Sequence, residues 1–279
     1  MYELAKTKRR VVLTIIYTLL IVSSLFLLFP FFWMMSSSLK LDQDVFANPI
    51  QWLPSEPVWS NYTNIWTRIP LITYLQNTSF LTISVTLLQL LTSSFAAYAF
   101  SKLEFKGRNT MFMLYVASIA VPWQAYMVPQ FIMFSTMGLF NTHAAIIILQ
   151  AFTAFGVFLM KQFYDSIPNE LIEAARIDGL SEYRIWRTIV LPLSKPVLAT
   201  LTIFAFVFTW NDFLGPRLYL ANQDLWTVQI GMRLFIGQNA TEFGLIMAIA
   251  TVSLVPILIL FLALQKFFVQ GIATSGLKG

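Results

Sequence analysis

The sequence has no cysteine, a single histidine (His143) and few charges, with Asp, Glu, Lys and Arg making up 11% of its 279 residues. Without cysteine there can be no disulfide, thiolate metal site or cysteine nucleophile. One histidine is too few for a His-x-x-Glu-His zinc site, and its place at an expected outer turn marks it as a surface residue rather than a ligand. No Gly-x-x-x-x-Gly-Lys-Ser/Thr loop occurs, so the chain cannot bind and hydrolyse ATP alone by that chemistry. Soluble domains carry roughly 25% charged residues. A chain with so few, and with 57% hydrophobic residues, cannot cover a water-facing surface and must face lipid.

The charges that are present sit between long apolar runs. A helix needs about 20 apolar residues to cross some 30 Å of hydrocarbon. Intervals free of Asp, Glu, Lys and Arg run over Val11–Leu39, Ile69–Ser101, Asn109–Met160, Pro196–Asn211 and Phe243–Gln265. The third is 52 residues long, enough for two helices joined by a turn near Gly138, Asn141 and Thr142. Six transmembrane helices are therefore expected in an all-α, polytopic protein. The first interval is too long for the ~7–15-residue core of a signal peptide and ends in Phe31-Phe32-Trp33 without a cleavage site, so it is expected to be retained. Pro122, Pro129 and Pro256 are expected to kink the third and sixth helices.

Loop charge sets the orientation. With the N-terminus inside, segments 1–10, 102–108, 161–195 and 266–279 hold fourteen basic residues, and the outer segments hold four: Lys40, Arg68, Arg217 and Arg233. That bias places both termini in the cytoplasm. It also accounts for the net charge of +5, which forms no basic patch with stacking aromatics and so does not point to nucleic acid. The outer loop of about 40–72 contains Trp52, Trp59 and Trp66 and is expected to pack as an external cap; about 213–242 is a second external loop. Asn-x-Ser/Thr triplets at Asn61, Asn77 and Asn239 are attributed to chance.

The inner segment of about 165–195 differs from the rest. From Asp165 to Lys195 it has five acids and four bases, a balance unlike that of a polybasic lipid anchor. Pro168 suits a helix start, and Glu170 favours the positive end of the helix dipole. Leu171, Ala174, Ala175 and Ile177 give an apolar side. Gly179 fits a left-handed stop. Ser181 can cap a second helix with Tyr183, Trp186, Ile189 and Val190, which Pro192 ends. The expectation is a knob of two short amphipathic helices. Small Ala174 and Ala175 suit close approach by a partner better than they suit a helix lying on lipid.

Glu173-Ala174-Ala175, then Gly179, then Ile189-x-Leu191-Pro192 resembles the EAA loop of ABC importer permeases. Ala96-Ala97-Tyr98-Ala99 with Leu103-x-Phe105-x-Gly107-Arg108, Trp210-Asn211-Asp212-Phe213, and the ending Gln265-Lys266-Phe267-Phe268-Val269-x-Gly271 with Gly276-x-Lys278-Gly279 extend the likeness over nearly the whole chain. Together they resemble the smaller, six-helix permease of maltose-type sugar importers; Ser275-Gly276-Leu277 departs from the Gly-Ala-Val-like run common there. The resemblance implies a type I ABC importer permease, one domain over 1–279, in a bacterial or archaeal cytoplasmic membrane. It implies a second homologous permease, two copies of an ABC ATPase carrying ATP and Mg, an external solute-binding protein and a sugar substrate, an oligosaccharide. It assigns no cofactor and no metal to this chain, and it makes the chain a transport subunit rather than an enzyme, with no catalytic residue. On it, Glu173, Ala174, Ala175 and Gly179 dock the ATPase, and Ile189, Leu191 and Pro192 brace the second helix. External loop 213–242 would reach the binding protein, and the C-terminal tail would touch the ATPases.

Polar groups at membrane depth are costly and therefore informative. Trp210, Asn211 and Asp212 follow a short apolar interval and are candidates for the outer mouth of the solute pathway. A helix-end cap or a contact with the second permease would explain them equally well. Gln89, Gln150 and Asn77 are weaker candidates, because one amide often serves only to join helices. Two other classes compete. A secondary transporter or channel working without ATP predicts paired charges near the midplane, and the first four spans show none. A membrane enzyme would need a convergent Ser/Lys or Asp pair, which no spacing here suggests.

Overall fold

The computed structural model describes residues 2–237 and 241–275, with side chains over 9–237 and 241–267. Its helices are α1 (Tyr2–Ser37), α2 (Asp42–Val45), α3 (Ser60–Arg68), α4 (Leu71–Lys102), α5 (Arg108–Ala117), α6 (Met127–Thr136), α7 (His143–Gln150), α8 (Ala154–Asp165), α9 (Asn169–Ile177), α10 (Glu182–Ile185), α11 (Leu191–Leu193), α12 (Lys195–Trp210), α13 (Leu214–Tyr219), α14 (Val228–Met232) and α15 (Phe243–Ser275). No β-strand occurs among the described residues beyond one isolated bridge, Ile236 to Thr241. The chain divides into two units, Met1–Ile69 with Leu234–Leu254, and Pro70–Arg233 with Val255–Gly279.

In the first unit, α1 exposes its apolar side chains from Val11 to Met35, as a helix facing lipid or another membrane helix does. Residues 40–69 fold over its C-terminal end. Asn61 is buried and donates to the carbonyls of Ser38 (2.9 Å) and Lys40 (3.0 Å) in the turn that follows α1, satisfying backbone groups that no helix pairs. Lys40 is buried, donates to the Gln51 carbonyl and lies 4.1 Å from the centre of the Trp33 ring. Asp42 accepts the Gly244 amide at 2.8 Å at the start of α15, and Arg68 pairs with Glu242.

In the second unit, α4 is the central helix and packs along α8 and α12. Its buried face carries Tyr74, Thr78, Leu81, Val85, Gln89, Ser93 and Ala97, three or four residues apart, the period of one helical face. Gly156 of α8 lies so close to α4 that an added Cβ would meet Ser93 Oγ at 2.4 Å.

Four helical stretches among the described residues are long and apolar enough to cross a membrane, and five if the bent pair Glu182–Leu193 and Lys195–Trp210 is one span. The expected third helix is the exception. Pro122 (φ −65°, ψ 137°) splits it outright: α5 ends at Ala117, short 3-10 turns follow on both sides of the proline, and α6 starts at Met127. Pro129 makes no kink. It sits in the first turn of α6, where its missing N–H has no helical acceptor. The turn after α6 lies where expected, with positive φ at Gly138 (74°) and Asn141 (59°), and Thr142 Oγ1 caps α7 by accepting the Ala145 amide. Pro256 lies inside α15, and Pro30, which sequence reading passed over, lies inside α1.

Candidate functional site

The segment between α8 and α12 forms the expected knob. Pro168 precedes α9 in extended conformation, Glu170 lies in its first turn, and Gly179 ends it with φ +81°. The Gly179 amide donates to Arg176 O and the Leu180 amide to Ala175 O, both at 3.0 Å, the paired hydrogen bonds of a Schellman stop. Leu180 and Ala175 then meet in the same apolar cluster. The chain turns at Ser181 into α10. Ser181 occupies the capping position, but its side chain makes no capping bond, contrary to expectation.

Two further expectations need correction. The buried side of α9 is Ile172 and Ala175; Leu171 and Ala174 are exposed, and Ile177 is 86% exposed. Residues 172 and 175 are three apart and lie in the apolar cluster shared with Tyr98, Met160, Tyr164 and Ile185, which leaves 171, 174 and 177 as a second, outward apolar row. Pro192 does not end the second helix. Residues Trp186–Val190 make a π turn in which the Leu191 amide reaches Trp186 O, and α11 then carries the chain through Pro192 to Ser194. The wider turn gives the proline ring room and removes the need for its absent N–H.

The expected docking residues therefore divide into two sets. Glu173 and Ala174 lie on the exposed side of α9, Gly179 is exposed at the turn, and Ala175 is buried beneath them. Ile189 and Leu191 pack against the cluster formed by Tyr98, Met160, Tyr164, Ile172, Ile185 and Trp186, whereas Pro192 is exposed.

Polar bonds join this knob to the end of α4. Glu182 accepts from Tyr98 Oη at 2.6 Å and from Arg176 Nε at 2.7 Å. Arg176 also donates to the Lys102 carbonyl at 3.0 Å, and Lys102 Nζ donates to Ile167 O (2.7 Å) and Asn169 Oδ1 (2.8 Å). The Arg176 bond holds the Glu182 carboxyl below the usual carboxylate range, against a smaller opposing effect of burial. Trp186 stacks on Phe95 with centroids 4.1 Å apart and donates to Ser94 Oγ at 2.9 Å. Sequence reasoning missed Tyr98, Arg176 and Glu182 as a group. The available hint was an opposite-charge pair straddling Gly179.

At the other end of α12, Trp210 is 2% exposed and stacks on Phe206. Asp212 Oδ1 accepts the Gly215 amide (3.1 Å) and Oδ2 accepts from Gln150 Nε2 (2.7 Å). Gln150 takes a bond from Thr209 at its side-chain oxygen, and its carbonyl takes one from Gln89. Asn211 is exposed and donates to Val207 O. The cluster thus brackets the ends of α7 and α12, and Gln89 and Gln150 join helices. Asn77 donates to the carbonyls of Asp224 (2.8 Å) and Trp226 (3.0 Å), tying the 213–242 loop to α4. His143 bonds to Leu225 O in the same loop. Asn239 and the terminal Gly276-Leu277-Lys278-Gly279 lie outside the described residues. No cluster of three or more metal-ligating side chains occurs among the described residues.

The family model of a binding-protein-dependent transport system inner membrane component matches residues 89–274. The melibiose/raffinose/stachyose import permease protein MelC of Bacillus subtilis is 36% identical over 254 residues, covering 90% of this chain and 91% of that one. The arabinooligosaccharides transport system permease protein AraQ of Halalkalibacterium halodurans is 33% identical, with the same coverage. The sn-glycerol-3-phosphate transport system permease protein UgpE of Salmonella typhi is 30% identical, covering 93% and 95%. A chain in the crystal structure of a bacterial ABC transporter involved in the import of the acidic polysaccharide alginate superposes with a TM-score of 0.79 at 25% identity, covering 93% of this chain and 97% of that one.

Proposed function

The chain belongs to the binding-protein-dependent transport system inner membrane components, and from that premise we propose that it forms half of the pathway of an ATP-driven importer for an oligosaccharide. It is a transport subunit, not an enzyme, and family membership sets aside a transporter that works without ATP. The carbohydrate reading rests on the relatives: two are named for the transport of oligosaccharides, and a third for that of a glycerol phosphate.

In this proposal, six spans make one permease domain over 1–279, with the split helices of 108–136 as the third. Both termini face the cytoplasm of a bacterial or archaeal cell. A second homologous permease completes the pathway, an external binding protein delivers the sugar, and two ATPases holding ATP and Mg supply the work. The 168–192 loop, which makes the knob, is the ATPase contact. The observation that carries this is the outward apolar row of α9, Leu171, Ala174 and Ile177, standing beside Glu173 on a helix whose other face is buried. An exposed apolar row flanked by charge on a water-facing helix marks a protein contact. Closure of the ATPases would then tilt the knob and bias the spans between two arrangements. For the solute path, Asn211 is the exposed member of the 210–212 cluster; Trp210 is buried against Phe206, and Asp212 is bonded to Gln150 and Gly215.

The test is reconstitution in proteoliposomes with the second permease, the ATPase and the binding protein. Uptake of labelled raffinose-type or arabinose-based oligosaccharides is expected only with ATP inside and binding protein outside. Equal uptake without the ATPase would refute the proposal.

A further inference from the structure

The knob meets α4 through apolar contacts, Trp186 on Phe95 and a cluster that includes Ala97 and Tyr98, and burial by itself is non-directional. Directional bonds are what fix register. Three helices meet at one carboxylate: Glu182 of α10 accepts from Tyr98 of α4 at 2.6 Å and from Arg176 of α9 at 2.7 Å and 3.3 Å. The Arg176 fork closes the loop by reaching the Lys102 carbonyl at the end of α4. Bonds to ionised partners are short and angle-dependent, so this arrangement adds to the Trp186–Ser94 and Lys102–Asn169 bonds in resisting sliding and twisting of the knob on α4. Glu182 belongs to neither the outward row nor the buried row of α9. Its position between elements suits transmission rather than docking.

We propose that Tyr98, Glu182 and Arg176 form a clamp that fixes the register of the knob on α4, so that displacement of the knob by its partner is passed to α4 instead of being lost as slip. All three are positioning residues. The inference rests on the reading of the 168–192 loop as the ATPase contact, and it goes further by separating the bonds that transmit force from the surface that receives it.

The test uses the reconstituted full complex and reads solute imported per ATP hydrolysed, which a merely structural role would not move because folding losses lower both rates together. Tyr98→Phe keeps the ring in the apolar cluster and removes one bond. The expected result is a loss of about three- to tenfold in solute per ATP, with the ATPase still co-purifying. Glu182→Gln should lower the same ratio, and the double variant should lose no more than the larger single loss, as partners in one network do. Glu182→Asp should recover part of the loss. An unchanged ratio in Tyr98→Phe, or a fall of transport and hydrolysis in parallel, would overturn the clamp. Ala174→Trp separates the two ideas. If it releases the ATPase while Tyr98→Phe leaves the ratio unchanged, docking stands and the clamp fails. If it leaves the ATPase bound, the docking reading fails, and the clamp with it.

Discussion

Gly179 gives a perturbation whose size follows from geometry alone. Its φ is +81°, and a Cβ built on it would meet nothing within 4 Å. A substitution there is therefore penalised by backbone conformation and not by a clash. The left-handed region costs an ordinary L-residue about 1–2 kcal/mol. Asn pays less because its short polar side chain tolerates that region. The Gly179 and Leu180 amides bond to Arg176 O and Ala175 O, so their hydrogen exchange reports opening of the stop directly. Gly179→Ala should speed exchange of both amides by about five- to thirtyfold, Gly179→Asn by clearly less, and Gly179→Val by at least as much as Ala. The assay is native-state exchange in detergent with peptide-level mass spectrometry. Equal protection in the Ala and Asn variants would refute the reasoning, since it would mean that φ is not what glycine supplies.

Other outcomes follow from the same bonds. Glu182 has a folded pKa below its unfolded one, so its contribution is fully present above the unfolded value and is lost as pH falls through the folded value; Trp186 fluorescence should show the knob loosening in that acid range in the wild type but not in Glu182→Gln. Gly156→Val overpacks the approach of α8 to α4, because even a Cβ would crowd Ser93 Oγ of α4 and Thr153 Cγ2; a loss of about 1–3 kcal/mol is expected as a lowered melting midpoint in detergent. Asp212→Ala leaves the Gly215 amide and the Gln150 side chain without their acceptor, which should cost about 1–3 kcal/mol by the same measurement.

Much of this architecture was legible in sequence because lipid forbids charge: intervals without Asp, Glu, Lys or Arg locate α1, α4, α8, α12 and α15. The turn at Gly138 and Asn141 and the stop at Gly179 were legible for a different reason, that few residues accept positive φ. The split at Pro122 was not, because a proline within an apolar run kinks a helix in one context and breaks it in another. On α9 the apolar positions outnumber those one face can bury, and only packing decides that Ile172 goes inward while Leu171 and Ile177 face out. The passage of a helix through Pro192 depends on a π turn with no residue signature. The Tyr98–Glu182 bond joins residues 84 apart, a distance that local pattern cannot bridge.

The absence of native cysteine makes the most direct test simple. Ala174→Cys, on the exposed side of α9, gives a single thiol at the centre of the proposed ATPase contact. In intact cells a membrane-impermeant maleimide should leave it unlabelled until the membrane is opened, and a short bifunctional reagent should join it to the ATPase. Labelling from outside intact cells, or no cross-link within the assembled complex, would contradict the account.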